Sequence, residues 1–172
     1  GHDGMIEKAE KYVKMGFTSI KMQASHCFKN DEDIANIKEM RTTLGDNIGI
    51  MIDVNQGWSV DEAIKVSKKI ECYNPEWLEE PVMADDFDGY EKICKSTSIP
   101  IVTGENNFTH NDLLPFMKNK KIRILQPDIM RGGYTNLMYT SQLANQYGIK
   151  IAPHMFPELS IHIVASIENP SW

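Results

Sequence analysis

Three carboxylates recur at equal intervals along the chain, each directly after an apolar run. They are Asp53, Glu79 and Glu105, and each follows its predecessor by 26 residues. That interval suits one strand, one helix and two loops. Side chains at the C-terminal ends of parallel barrel strands converge on one mouth, where barrel enzymes keep their chemistry. Three acids gathered there indicate a site for a hard divalent cation.

Two further polar residues also stand directly after apolar runs. Asp128 follows the run 122–127, and His154 follows the run 149–153, again 26 residues after its predecessor. Because both residues end successive predicted strands, we expect the carboxylate and the imidazole to lie within hydrogen-bond reach of each other.

The elements that must position these residues are predicted from hydrophobic periodicity and turn residues. Strands are predicted at 17–22, 47–54, 77–78, 99–104, 121–126 and 149–153. Helices are predicted at 4–16, 30–43, 59–70, 86–97, 110–119, 134–147 and 157–168. The order is one helix followed by six strand–helix pairs. Right-handed crossovers would give an α/β fold, a (β/α) TIM-type barrel that is incomplete at about six βα units.

Helix start signals support two of these predictions. Ser59 and Glu62 have the spacing of a capping box at the start of the third helix. Thr109 is a predicted cap for helix 110–119, and Pro115 inside that helix predicts a kink or a short first turn.

Composition limits the class of protein. The 172 residues suffice for one domain with a sizeable core, and the formal net charge of −6 argues against a nucleic-acid partner. Three cysteines without CxxC spacing favour reduced thiols and a cytoplasmic location. No apolar stretch approaches the ~20 residues of a membrane span, and the N-terminus lacks a signal-peptide pattern. We therefore expect no membrane partner.

Six short motifs stand at or near the predicted strand ends. They are Ile20-Lys-Met-Gln23, Asp53-Val-Asn55, Trp77-Leu-Glu-Glu-Pro81, Gly104-Glu-Asn106, Gln126-Pro-Asp128 with Gly132-Gly133, and Pro153-His154. In their order and spacing, these motifs resemble the enolase superfamily, and specifically its mandelate racemase subgroup. The resemblance extends over nearly the whole chain and implies the modified (β/α) barrel of that superfamily.

The resemblance also implies a metal site. By it, Asp53, Glu79 and Glu105 bind one Mg²⁺ per chain, and Glu79 is preferred to Glu80 because relatives often carry Gln at the second position. Mg²⁺ prefers octahedral oxygen ligands and keeps open positions, which a substrate carboxylate can fill. The bound ion would stabilise the negative charge that builds up as the neighbouring carbon loses a proton.

Catalytic roles follow from the same resemblance. His154 matches the general base and acid, and Asp128 matches the partner that fixes its tautomer and raises its basicity. Lys21 matches the first lysine of a Lys-x-Lys pair, whose ammonium lies near the substrate carboxylate. Asn55 is a candidate hydrogen-bond donor to the substrate.

Gln23 departs from the family pattern. It stands where the second lysine usually sits, and Gln cannot abstract a proton, so it is assigned to substrate binding. A two-base racemase needs one base on each face of the substrate. We therefore predict a lyase, with His154 dehydrating an acid sugar to a 2-keto-3-deoxy acid by syn-elimination. A racemase or epimerase acting on a 2-hydroxy acid stays open as an alternative.

Length is the second departure. A complete barrel takes about 250 residues, so residues 1–172 are expected to form a single partial barrel domain without the family's N-terminal capping domain. Such a piece could bind metal yet be catalytically incompetent, because the cap excludes water. An open barrel would leave two unpaired sheet edges, which predicts a homo-oligomer. The expected ligand is a small-molecule carboxylate.

Overall fold

A computed structural model gives the fold, and it describes residues 4–25 and 30–171. The elements run in the predicted order, one helix followed by six strand–helix pairs, with one additional short 3-10 helix. The chain divides into two compact units. Unit 1 comprises residues 1–83 and 88–100, and unit 2 comprises residues 84–87 and 101–172. The single-domain organisation stays a prediction.

Unit 1 contains three parallel strands with helices between them. The strands are β1 (Ser19–Gln23), β2 (Gly49–Asp53) and β3 (Trp77–Glu79). The helices are α1 (Met5–Lys14), α2 (Asn30–Leu44), α3 (Val60–Ile70), the 3-10 helix Glu71–Tyr73 and α4 (Phe87–Ser96), whose first residue belongs to unit 2. Ile50, Ile52 and Leu78 are fully buried, as expected for parallel strands covered on both faces.

Unit 2 repeats this organisation with shorter strands. The strands are β4 (Ile101–Thr103), β5 (Ile124–Leu125) and β6 (Lys150–Ile151), paired in parallel in that order. The helices are α5 (His110–Lys118), α6 (Ile129–Gln146) and α7 (Pro157–Val164). None of the helices in the described ranges is long and apolar enough to cross a membrane.

Prolines limit the C-terminal ends of β5 and β6 in unit 2. Strands were expected over 121–126 and 149–153, but β5 and β6 have two residues each. Backbone pairing continues past both, since the Gln126 amide bonds the Thr103 carbonyl at 2.8 Å. Pro127 and Pro153 then follow, and neither has an N–H to donate to a ladder. The extended chain therefore runs on toward the site without being a regular strand.

Helix α6 begins five residues before its predicted start and is broken near that predicted start. We expected the helix to begin at residue 134, whereas helical structure begins at Ile129 and is interrupted at Gly133, with φ 71° and ψ 174°. This left-handed φ is readily adopted only by glycine. The turn 129–132 is therefore separated from the longer helix behind it.

Both predicted helix starts are confirmed. Ser59 and Glu62 form the reciprocal bonds of a capping box at α3. Thr109 forms a second capping box with Asp112, a partner that sequence reasoning missed. Helix α5 runs through Pro115 as nine residues.

The two outermost strands differ in how their edges are covered. In the described part of unit 1, β1 pairs with β2 alone. In unit 2, β6 bonds β5 on one side and the C-terminal segment on the other. The Ile151 amide donates to the Asn169 carbonyl at 2.8 Å, and the Ser171 amide donates to the Ile151 carbonyl at 2.9 Å. The prediction of two unpaired edges is therefore wrong for β6.

Candidate active site

The strand register of unit 1 brings three predicted site residues into one row. Gln23 pairs with Asp53, and Asp53 pairs with Glu79, at the C-terminal ends of β1, β2 and β3. Because neighbouring strands lie about 4.8 Å apart, the three side chains are close neighbours. Sequence spacing alone predicted the strand ends and did not give this register.

Lys21 supplies the positive charge for this row. Its Nζ lies 2.7 Å from Glu79 Oε1 and 3.6 Å from Asp53 Oδ2. Glu79 is fully buried, while 37% of the Lys21 side chain is exposed. The other Glu79 oxygen accepts a hydrogen bond from Trp77 Nε1 at 3.0 Å, a contact that sequence reasoning missed. Both oxygens of this carboxylate are therefore held by donors from unit 1.

Asp53 lies in an environment that disfavours its charged form. Burial raises the pKa of Asp53, and the neighbouring Glu79 charge raises it further, while Lys21 lowers it. The Asn55 amide donates to Asp53 Oδ1 at 3.0 Å. Such a pair of adjacent buried carboxylates is stabilised by any cation that approaches it.

The turn after β2 holds the predicted substrate residue Asn55. Asn55 and Gln56 both adopt left-handed backbone conformations, with φ 47° and 64°. The Gln56 amide bonds the carbonyl of Glu80, itself at φ 38°, with a distance of 2.7 Å. Left-handed backbone is costly for residues other than glycine, and strain of this kind clusters at functional sites. Asn55 is half-buried in this turn.

In unit 2, Glu105 follows β4 after a glycine that the packing requires. Gly104 has φ 128°, and a Cβ there would lie 3.0 Å from the Gln126 amide nitrogen. The backbones of two neighbouring segments can approach each other only because position 104 has no side chain. Glu105 is 5% exposed.

The expected contact between Asp128 and His154 is confirmed. His154 Nδ1 lies 2.9 Å from Asp128 Oδ2, and the two residues form a parallel backbone bridge. Asp128 Oδ1 accepts the Met130 amide at 2.7 Å and so caps α6. A carboxylate on Nδ1 fixes the ring orientation and leaves Nε2 for chemistry.

The second nitrogen of His154 faces a carboxylate as well. Nε2 lies 3.3 Å from Glu105 Oε2. A hydrogen bond between these atoms needs a proton on one of them. Unit 2 thus brings Glu105, Asp128 and His154 into one cluster, with the imidazole between the two acids.

A neighbouring group of residues was missed by sequence reasoning. Arg131 Nη2 donates to Asn106 Oδ1 at 2.9 Å, and its Cζ lies 5.1 Å from the centre of the Phe108 ring. Asn106 Nδ2 lies 3.5 Å from Glu105 Oε1, at the limit of a hydrogen bond. Of these residues, only Asn106 belonged to a motif that the sequence indicated, Gly104-Glu-Asn106.

The candidate metal ligands are divided between the units. Asp53 and Glu79 belong to unit 1, and Glu105 belongs to unit 2. Within either unit, the described residues include no group of three or more His, Cys, Asp or Glu side chains that could hold a metal ion alone. Carboxylate oxygens are nonetheless the donors that Mg²⁺ prefers, so the residue types fit such an ion.

Comparison with known proteins identifies the family. Residues 4–172 match the family model described as enolase C-terminal domain-like. The chain belongs to the enolase superfamily. The predicted recognition, including the mandelate racemase subgroup, is thereby confirmed, since solved neighbours carry the name mandelate racemase/muconate lactonizing enzyme.

Individual relatives of this enolase-superfamily chain cover it well. It is 28% identical over 166 residues to 3,6-anhydro-alpha-L-galactonate cycloisomerase of Streptomyces coelicolor, covering 96% of this chain and 46% of that protein. It is 32% identical over 142 residues to L-talarate/galactarate dehydratase of Salmonella typhimurium, covering 82% of this chain and 36% of that protein. The chain therefore spans less than half the length of these relatives.

Solved structures show the same fold. A racemase from Streptomyces coelicolor, crystallised with bound magnesium, superposes with a TM-score of 0.93 at 27% identity, covering all of this chain and 48% of that one. The predicted fold class, an incomplete enolase-type (β/α) barrel, is therefore confirmed. The relatives of this enolase-superfamily chain are enzymes and include dehydratases, cycloisomerases and epimerases, and several solved neighbours contain magnesium.

Proposed function

We propose that this chain carries the catalytic groups for Mg²⁺-dependent removal of a proton α to a carboxylate, and that its reaction is the dehydration of an acid sugar to a 2-keto-3-deoxy acid. The observation that carries the proposal is the 2.9 Å contact between His154 Nδ1 and Asp128 Oδ2, combined with Gln23 in place of a second basic residue. Dehydratases of acid sugars among the relatives support it.

His154 is the proposed base and acid. With Asp128 on Nδ1, Nε2 takes the α-proton and later returns it to the departing β-hydroxyl, which leaves as water. The resulting enol tautomerises to the 2-keto-3-deoxy acid. Since one imidazole performs both transfers, elimination occurs on one face of the substrate and needs no base on the other.

One Mg²⁺ per chain is proposed to be held by Asp53, Glu79 and Glu105. The burial of Asp53 and Glu79 in adjacent register and the raised pKa of Asp53 support a cation there. The place of Glu105 in this set rests on the sequence spacing and on the family. When bound, the ion supplies positive charge that stabilises the substrate carboxylate as negative charge builds on it.

Three residues of unit 1 are proposed to bind the substrate. Lys21 would pair its ammonium with the substrate carboxylate, and its exposed fraction of 37% leaves room for that contact. Gln23 and Asn55 would donate hydrogen bonds to hydroxyl groups. The amide of Gln23 stands in the same row as Asp53, which supports its assignment.

Racemisation or epimerisation of a 2-hydroxy acid is the second candidate. Lys21 favours it, because a lysine at the site could act as a base if Nζ lost its proton. Epimerases among the relatives are consistent with this alternative.

The experiment is turnover of an acid-sugar panel in D₂O with Mg²⁺, monitored by NMR. We expect the wild-type protein to form a 2-keto product that carries deuterium at C3, where the enol is protonated from the solvent, and we expect His154→Asn to form none. Epimerised acid without a keto product would establish the second candidate instead. Binding of Mg²⁺ without any proton exchange would identify a catalytically incompetent metal-binding chain.

A further inference from the structure

Arg131 is an exposed cation on the turn that begins at Asp128, the partner of the proposed base. It lies three residues after Asp128, and its amide bonds the Asp128 carbonyl at 3.2 Å. The turn that carries both residues ends at Gly133. Arg131 and the aspartate that orients His154 therefore share one short piece of backbone.

The guanidinium is held in place without being neutralised. One of its nitrogens donates to the neutral amide of Asn106 at 2.9 Å, and its Cζ lies over the Phe108 ring, 5.1 Å from the ring centre. In the described part of the chain, this side chain forms no other hydrogen bond and no ion pair. A guanidinium has five N–H donors, so most of them are available to a ligand.

The position of Arg131 relative to the site follows from its contacts. Asn106 approaches Glu105 at 3.5 Å, and Glu105 approaches His154 Nε2 at 3.3 Å. Three contacts, through Asn106 and Glu105, thus connect the cation to the atom that would move the substrate proton. A ligand that contacts both His154 and Arg131 must extend past these two side chains.

The other cations of unit 2 lie elsewhere. They are Lys118, Lys120, Lys121, Arg123 and Lys150. All five stand before β5 or at the start of β6, whereas Arg131 follows β5. Among the described cations of unit 2, Arg131 is therefore the one at the C-terminal strand ends.

We propose that Arg131 is a specificity-determining residue that binds a second anionic group at the far end of the substrate. The preferred acid sugar would then carry two anionic groups, either two carboxylates or one carboxylate and one phosphate. This inference rests on the proposed function, because it assumes that the first carboxylate is bound beside His154. A guanidinium held by the Asn106 hydrogen bond and by its contact with the Phe108 ring is pre-organised for bidentate binding of such a group.

The test is calorimetric binding in the His154→Asn background with Mg²⁺ present, so that no turnover occurs. The probes are glucarate with two carboxylates, gluconate with one, and gluconate 6-phosphate. Arg131→Gln is compared with Arg123→Gln, which removes an exposed arginine at the other end of β5. A charge-assisted pair typically contributes tenfold to hundredfold in affinity.

We expect Arg131→Gln to weaken the binding of glucarate or gluconate 6-phosphate at least tenfold and the binding of gluconate less than twofold. Arg123→Gln should change the affinity for none of the three probes. The more strongly affected probe identifies the second group as carboxylate or phosphate. Arg131→Lys should retain part of the preference. Equal weakening of all probes, or no preference for a dianion before mutation, would overturn the proposal. The wild-type protein could form no 2-keto product while Arg131→Gln still weakens the binding of the dianion and not of gluconate. In that case the proposed function fails and this inference stands.

Discussion

Asp128 divides its two carboxylate oxygens between a histidine and a helix. Oδ2 lies 2.9 Å from His154 Nδ1, and Oδ1 accepts the Met130 amide at 2.7 Å. The same side chain that orients the imidazole therefore also fixes the start of α6. Because both partners are held in place, the ring has one preferred orientation.

Asp128→Asn should separate these two tasks. Asn caps a helix about as well as Asp, so the melting temperature should change little. The amide cannot stabilise an imidazolium, so kcat should fall about 10²- to 10⁴-fold, the range typical of general acid–base catalysis. Steady-state kinetics and thermal melts measure the two effects. A kcat near that of wild type would remove Asp128 from the proposed mechanism.

Gln23→Ala should have a mild effect. It removes one neutral hydrogen-bonding group, which costs about 0.5–1.5 kcal/mol, or roughly tenfold or less in kcat/KM. His154→Asn serves as the contrast, since it should abolish α-proton exchange in D₂O. Should Gln23→Ala abolish exchange while His154→Asn retains it, the assignment of the base is wrong and Lys21 becomes the candidate.

Mg²⁺ should stabilise the folded protein through Asp53. A ligand that binds only the native state, at a concentration 100 times its Kd, adds about 2.7 kcal/mol to the free energy of unfolding. We expect thermal melts to shift upward with Mg²⁺ in wild type and not in Asp53→Asn. Asp61→Asn, which changes an exposed acid in the first turn of α3, should keep the shift. An unchanged melting temperature in wild type would contradict the metal site.

Glu71 should make stability depend on pH. Hydrogen bonds from the Thr97 hydroxyl and the Ser98 amide, both 2.6 Å to Oε1, lower the pKa of Glu71 from its ordinary 4.5. Because the folded pKa is lowered, this stabilisation is complete above about pH 4.5 and is lost as the pH falls through the folded pKa. Urea unfolding should therefore show Glu71→Gln less stable than wild type at pH 7, with a smaller difference at pH 3. An equal difference at both pH values would show that the charge is irrelevant.

Gly132→Ala should destabilise unit 2 by crowding. A Cβ at this position would lie 2.7 Å from the Phe108 carbonyl oxygen and would overlap the Asn136 side-chain amide. Overpacking of this kind typically costs about 1–3 kcal/mol. Denaturant unfolding provides the measurement, with the exposed Thr135→Ala as a control that should change stability little. Full stability of Gly132→Ala would mean that α6 moves away from the Phe108 loop at no cost.

The sequence predicted well those features that depend on local pattern. The apolar runs before Asp53 and Glu79 predicted the ends of β2 and β3, because a buried parallel strand has a recognisable composition. The capping box at Ser59 was equally local. These predictions needed no knowledge of which segments meet in space.

The contact between Asp128 and His154 was predicted, but the other features that depend on register and side-chain packing were not. The contact of the Lys21 ammonium with Glu79 was not predicted, and the expected place of that ammonium near a substrate carboxylate stays a prediction. The contact between Arg131 and Asn106 joins residues 25 apart in the sequence and has no periodic signal. The helical turn 129–132 was not predicted, although the break at Gly133 stands directly before the predicted helix start at residue 134.

The covered edge of β6 has a consequence for aggregation. An exposed strand edge is a template on which a strand of another chain can add. Here the residues around Pro170 already occupy the outer side of β6, through the bonds of Ile151 with Asn169 and Ser171. A strand of another copy could add to β6 only after residues 169–171 detach, so the C-terminal segment protects this strand from intermolecular pairing.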